Sequence, residues 1–138
     1  MTSSTPPRPT PGPLEAPFWE WCQLGQLRLQ RCAECRRWRH LPRPRCPECR
    51  SARFEWAAVS GKATVHSWTI CHPPVLPAFR DRVPYNAVVV QLEEGPYMVT
   101  NLINCEPSAI AIGLPVEVAL TRIDEGLTLP YFQPAEKP

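Results

Sequence analysis

Cys32-Ala33-Glu34-Cys35 and Cys46-Pro47-Glu48-Cys49 form two Cys-x-x-Cys pairs with ten residues between them. Within each pair the short spacing brings two thiolates to one ion while neighbouring backbone amides face the sulfurs. Two pairs supply four sulfurs in a tetrahedron, which suits zinc, a d¹⁰ ion without a geometric preference. Four thiolates leave no open position for an activated water, so the expected role is structural. Iron in a rubredoxin-like site fits the same ligands. The stretch from Arg36 to Arg45 is too short to hold a core, so metal binding must contribute much of this segment's folding energy. His40 lies between the pairs and reads as a solvated histidine of the ribbon, outside the ligand set.

The remaining reactive side chains do not assemble into a catalytic pair. Cys71 and His72 are adjacent, and successive strand residues point to opposite faces. Cys105 stands beside Glu106 with no histidine near it in sequence, and Cys22 falls on the apolar face of a short helix. All three thiols read as small apolar fillers, and His66 and His72 as barrel-surface or loop residues. The chain is therefore expected to catalyse nothing alone.

Charge is uneven. Residues 28–53 carry nine arginines against two glutamates, an excess of seven positive charges. Four thiolates around a divalent ion lower that excess to about five. Residues 54–138 carry five basic and nine acidic side chains, a net charge of −4. The ribbon's arginines suit an acidic protein patch, a phosphorylated cofactor or nucleic acid.

The elements that must position these residues follow from composition and pattern. Of 138 residues, 19 are proline, 43% are hydrophobic and 20% charged, with net charge +2. A chain so composed builds a core, which excludes a wholly disordered protein. Its prolines argue against long helices. No apolar run approaches the ~18 residues of a membrane-spanning helix. The N-terminus lacks the basic and apolar regions of a secretory signal. Seven cysteines in an unexported chain point to metal ligation and free thiols, in the cytoplasm.

Residues 1–16, rich in proline, threonine and serine, read as a disordered tail. Pro17 then opens a short helix with Phe18, Trp21 and Cys22 on one face and Gly25 as its stop. That face docks either on the same chain or on a partner. Residues 17–56 thus hold the helix and the zinc ribbon, entered by a strand from Gln26 to Arg31. Residues 57–134 alternate as a β domain, and 135–138 form a second tail. Its strands are expected at 63–72, Tyr85–Leu92, Tyr97–Ile103, Val116–Ile123 and Leu127–Phe132. Glu93-Glu94-Gly95-Pro96 and Asp124-Glu125-Gly126 mark the turns. Five short strands with one excursion near 104–115 suit a partly open OB-type barrel. The expected fold class is mainly β.

The order of these parts is itself informative. Phe18-Trp19-Glu20-Trp21, then CAECRRWRHLPRPRCPEC, SGKATVHSWT, PYNAVVVQLEEGPYMVTNL and IGLPVEVALTRIDEGLTLPYFQP follow one another. Together they resemble the zinc-ribbon plus OB-fold family known as domain of unknown function 35, over residues 17–134. The resemblance implies a helix, a rubredoxin-like ribbon and an OB barrel. It also implies an accessory subunit working beside a thiolase-like enzyme or hydratase, with a coenzyme A thioester as shared ligand. Steroid or lipid side-chain degradation is among the family's settings. The competing expectation is a single-stranded nucleic-acid module, which needs a basic groove with stacking aromatics. Trp68 suits that role, and the net acidic barrel opposes it.

Two segments are expected to meet the partner or ligand. The helix offers Trp19 and Trp21. The loop from His72 to Pro84, held extended by four prolines, offers Phe79 with Arg80 and Arg82.

Overall fold

Pro17 sits in the first turn of helix α1, Ala16–Gln23, in the computed structural model, which describes residues 7–135. The tails expected at 1–16 and 135–138 fall partly outside this span. Gly25, at φ 82°, ends the helix. The Gln26 amide donates to the Trp21 carbonyl and the Gly25 amide to that of Cys22, each at 3.0 Å. This Schellman arrangement satisfies orphan carbonyls at a position that only glycine adopts without strain.

The helix settles the docking question posed by its apolar face. Phe18 and Cys22 are buried in a cluster shared with Leu27, Leu29 and the barrel interior, so at these two positions the face packs on its own chain, while Trp21 stays half-buried. Thr128 donates to the Gln23 side chain at 2.7 Å, which fixes the helix against the last strand.

Strands β1 (Arg28–Cys32), β2 (Trp38–Arg39) and β3 (Phe54–Ala58) form an antiparallel sheet in the order β2-β1-β3. Strands β4 (Lys62–Cys71), β5 (Tyr85–Leu92), β6 (Tyr97–Thr100), β7 (Pro115–Asp124) and β8 (Leu127–Pro134) form the second sheet. Its order is β6-β5-β4-β7-β8. The ends approach each other where Leu102 bridges Phe132 in parallel, and the Ile103 amide donates to the Phe132 carbonyl at 2.8 Å. The sheet thus curls into the expected OB-type half-barrel, with Val65, Val88, Val90, Val116 and Phe132 filling it. Among the described residues no helix is long and apolar enough to cross a membrane.

Two expectations about elements change. The third barrel strand, expected to reach Ile103, ends at Thr100. The Asn86 side chain takes over there. It accepts from the Leu102 amide at 2.7 Å and donates to the Leu102 carbonyl at 2.9 Å. A carboxamide can stand in for a neighbouring strand, so the backbone is released towards β8. The loop expected to run extended instead contains a 3₁₀ turn, Pro77–Arg82. Pro77 fixes the φ that such a turn requires, and the Phe79 amide donates to the Leu76 carbonyl at 2.9 Å.

Candidate metal centre and docking surfaces

Each Cys-x-x-Cys pair folds as a tight turn, the first of them directly after β1. The Arg36 amide donates to the Cys32 carbonyl at 3.1 Å, and the Arg50 amide to that of Cys46 at 2.8 Å. Arg36 and Arg50 take left-handed φ values of 66° and 65°, so the two turns repeat one geometry. The four sulfurs converge within 4.8 Å of one another, with Cys32–Cys49 and Cys35–Cys46 each at 3.5 Å. A regular tetrahedron with metal–sulfur bonds of about 2.3 Å has edges of about 3.8 Å, so the donor set fits a structural zinc. The Cys35 amide, 3.5 Å from the Cys32 sulfur, draws that thiol down to about 7. The Cys49 amide lowers Cys46 in the same way. Thiolates are the ligand form, so these amides favour metal binding.

The arginines of the ribbon divide into three groups. Arg36, Arg37 and Arg53 pair with Glu55, Glu48 and Glu34. Arg28, Arg31 and Arg39 lie over the rings of Trp21, Trp38 and Phe54 at 4.2, 5.0 and 4.9 Å. Arg43, Arg45 and Arg50 have no acidic partner among the described residues. These three, with neither an acid nor a ring beside them among the described residues, flank the second cysteine pair. Arg39 is buried, and its Nε donates to Gln30 Oε1 at 2.8 Å. That pair has no hydrophobic-pattern signature in the sequence, because two polar side chains nine residues apart are buried only once β1 and β2 pair.

His40 departs from the solvated role expected of it. Its ring packs on Phe18 at 5.4 Å, and burial pushes its pKa down to about 4. The two-residue strand β2 ends immediately before it, so the chain folds back over the helix there.

Trp19 is half-buried and stands edge-on to Phe18, with centroids 5.1 Å apart. It lines an apolar cleft of about 260 Å³ with His40, Leu41, Val99 and Tyr131, where helix, ribbon and barrel meet. Leu41 and Val99 stand exposed on this cleft at 67% and 73%. Trp21 is half-buried beneath Arg28. Phe79 packs against Tyr85 with centroids 5.6 Å apart, while Arg80 and Arg82 are exposed. Trp19 and Phe79 line two neighbouring clefts that share Asn101, Leu129 and Tyr131.

The other thiols and histidines stay apart. Burial pushes Cys22 up to about 12, as expected of a core filler. Cys71 faces Tyr85 across the β4–β5 pair. Burial and then Glu106 raise Cys105. His66 occupies a bulge in β4 and packs on Tyr97 at 4.7 Å.

A four-sulfur ribbon beside a helix and a curled five-stranded sheet defines a zinc-ribbon/OB-fold protein. Residues 19–55 match the model of the ChsH2 rubredoxin-like zinc ribbon domain, and residues 56–121 that of the ChsH2 C-terminal OB-fold domain. The chain belongs to this ChsH2-type family of DUF35 proteins. A probable enoyl-CoA hydratase alpha subunit of Thermomonospora curvata is 40% identical over 94% of this chain. A 3-oxo-4,17-pregnadiene-20-carboxyl-CoA hydratase alpha subunit of Mycobacterium tuberculosis is 35% identical over 79% of it. The chain spans only 40% and 34% of those two subunits. A DUF35 domain-containing scaffold protein of Methanothermobacter thermautotrophicus is 33% identical, with 75% of this chain and 77% of that protein covered. Among solved structures, a chain of the Ltp2-ChsH2(DUF35) aldolase superposes with TM-score 0.85 at 38% identity. That match covers 92% of this chain and 98% of the other.

Proposed function

We propose that the chain is a non-catalytic accessory subunit of an acyl-CoA-processing enzyme, acting in the cytoplasm. It docks on a thiolase-fold aldolase or thiolase, or on a hydratase, and helps enclose the acyl-CoA. Zinc held by Cys32, Cys35, Cys46 and Cys49 fixes the ribbon as a rigid part of the docking surface. The observation that carries this reading is the match to almost the whole of one chain of the Ltp2-ChsH2(DUF35) aldolase. Steroid or lipid side-chain degradation is the setting favoured by the name of the mycobacterial hydratase subunit.

The contacts assigned to the partner or ligand are Trp19, Trp21, Phe79, Arg80 and Arg82. Aromatic and arginine anchors at interfaces typically cost ~2 kcal/mol or more when truncated. The test is purification of the untagged chain from its source, with identification of what accompanies it, followed by reconstitution. A thiolase-like or hydratase-like protein should co-purify and gain activity or solubility from the chain. Turnover of acyl-CoA by the isolated chain would overturn the proposal.

A further inference from the structure

The proline-rich loop roofs a groove whose chemistry points to a ligand of its own. The groove, about 660 Å³, runs between this loop, the segment after β6 and the inner edge of β8. That volume falls within the usual range of small-molecule sites. Ile70, Phe79, Leu102, Ile103 and Leu129 supply apolar walls.

Most polar groups along the groove already have partners. Asn86 is committed to the backbone of Leu102, and the Asn101 side-chain amide donates to the Asn86 carbonyl. The Tyr85 hydroxyl is paired with Cys71, which leaves Arg82 and Tyr131 as the exceptions. Both line the groove, and neither side chain has a hydrogen bond or ion pair among the described residues. No aspartate or glutamate among the described residues lines it. An apolar trough with one guanidinium, one free phenol and no acid complements a body of rings or branched carbons bearing a single negative group. The proline-rich loop joins the first two barrel strands, a connection that OB folds commonly use for ligands. A nucleic-acid strand or the several phosphates of coenzyme A would require more than one cation along the path.

We infer that this groove binds a small amphipathic anion, its apolar body under Phe79 and its carboxylate or sulfonate at Arg82 and Tyr131. The inference rests on the groove alone and stands or falls independently of the partner enzyme.

The test uses the full chain and two probes with the same ring system. One is 8-anilinonaphthalene-1-sulfonate, and the other is N-phenyl-1-naphthylamine, which lacks the sulfonate. Fluorescence titration should show one saturable site for the sulfonate and about tenfold weaker binding of the neutral probe, the scale of one charge-assisted contact. Arg82→Gln should weaken only the sulfonate, again by about tenfold, and Tyr131→Phe by less. Both variants should keep the wild-type melting temperature. Amide shifts in a two-dimensional NMR titration should centre on Ile70, Tyr85 and Ile103. Equal affinity for the two probes, or an Arg82→Gln variant that binds like wild type, would overturn the inference. So would shifts centred on Phe18, His40 and Val99, or displacement of the sulfonate by a ten-nucleotide thymidine strand at lower concentration than by the neutral probe.

Discussion

Between Arg28 and Ala58 the only buried aliphatic side chain is Leu29; the other buried residues there are two cysteines, a glutamine and an arginine. Between Lys62 and Pro134 eleven hydrophobic side chains are buried. The barrel can be ordered by removal of apolar surface from water. The ribbon has too little such surface, so its order must come from metal ligation, from guanidinium–ring stacking and from the Gln30–Arg39 hydrogen bond. Leu27 and Leu29 join the barrel's cluster, so the ribbon is anchored at its base and depends on the metal at its tip. Similar antiparallel geometry thus rests on different physical supports in the two halves.

The sharpest way to separate the halves is to remove the metal. Structural zinc contributes on the order of 10 kcal/mol in small domains. Cys32→Ser, or a strong chelator, should release one zinc per chain and broaden the ribbon amides while β4–β8 stay dispersed. Elemental analysis and two-dimensional NMR check this together. Absence of stoichiometric metal from native protein would remove the ribbon's proposed support.

The converse experiment breaks the barrel. Phe132 is fully buried where the sheet closes on Leu102. Phe132→Ala should cost about 3–5 kcal/mol by chemical denaturation, from lost burial and a residual cavity. A loss below about 1 kcal/mol would mean that the barrel does not rest on this closure.

His40 tests the joint between the halves through pH. Its folded pKa is about 4, below the ordinary 6.5, so the unfolded chain binds its proton first as pH falls. Its contribution is intact above about pH 6.5 and is lost progressively towards pH 4, to a total of about 3 kcal/mol. Acid also protonates the thiolates, so the measurement is the difference between wild type and His40→Gln across that window. Parallel stability curves would show that His40 is not desolvated.

The smallest effects concern backbone conformation. Arg50→Gly should stabilise the ribbon by up to about 1 kcal/mol, since glycine tolerates the left-handed φ at no steric cost. Gly61→Ala should destabilise the barrel, because φ there is 84° and a Cβ would lie 2.7 Å from the Val118 side chain. Melting temperatures of the two variants should move in opposite directions.

Much of the molecule was legible because its signals are local. Metal-ligand spacing, the Pro17 start and Gly25 stop of α1, alternation in β5 and the acidic glycine turn before β6 are all set by neighbours within a few residues. Legibility failed wherever a distant group decided. Tyr97–Ile103 alternates like one strand, yet the Asn86 side chain, far away in sequence, ends it at Thr100. His40 is flanked by arginine, leucine and proline, with nothing nearby to announce that Phe18 would cover it.

The sequence by itself determined that four thiolates would gather in a short ribbon and that a β domain would follow. Both depend on side-chain periodicity and on spacings that the chain carries with it. Only the tertiary structure decided that α1 closes on its own barrel and, among the described residues, that three of nine ribbon arginines keep no acidic or aromatic partner and that Arg82 overlooks a groove without an acid. Burial and charge balance are properties of a place in space, and residues far apart in the chain create that place together.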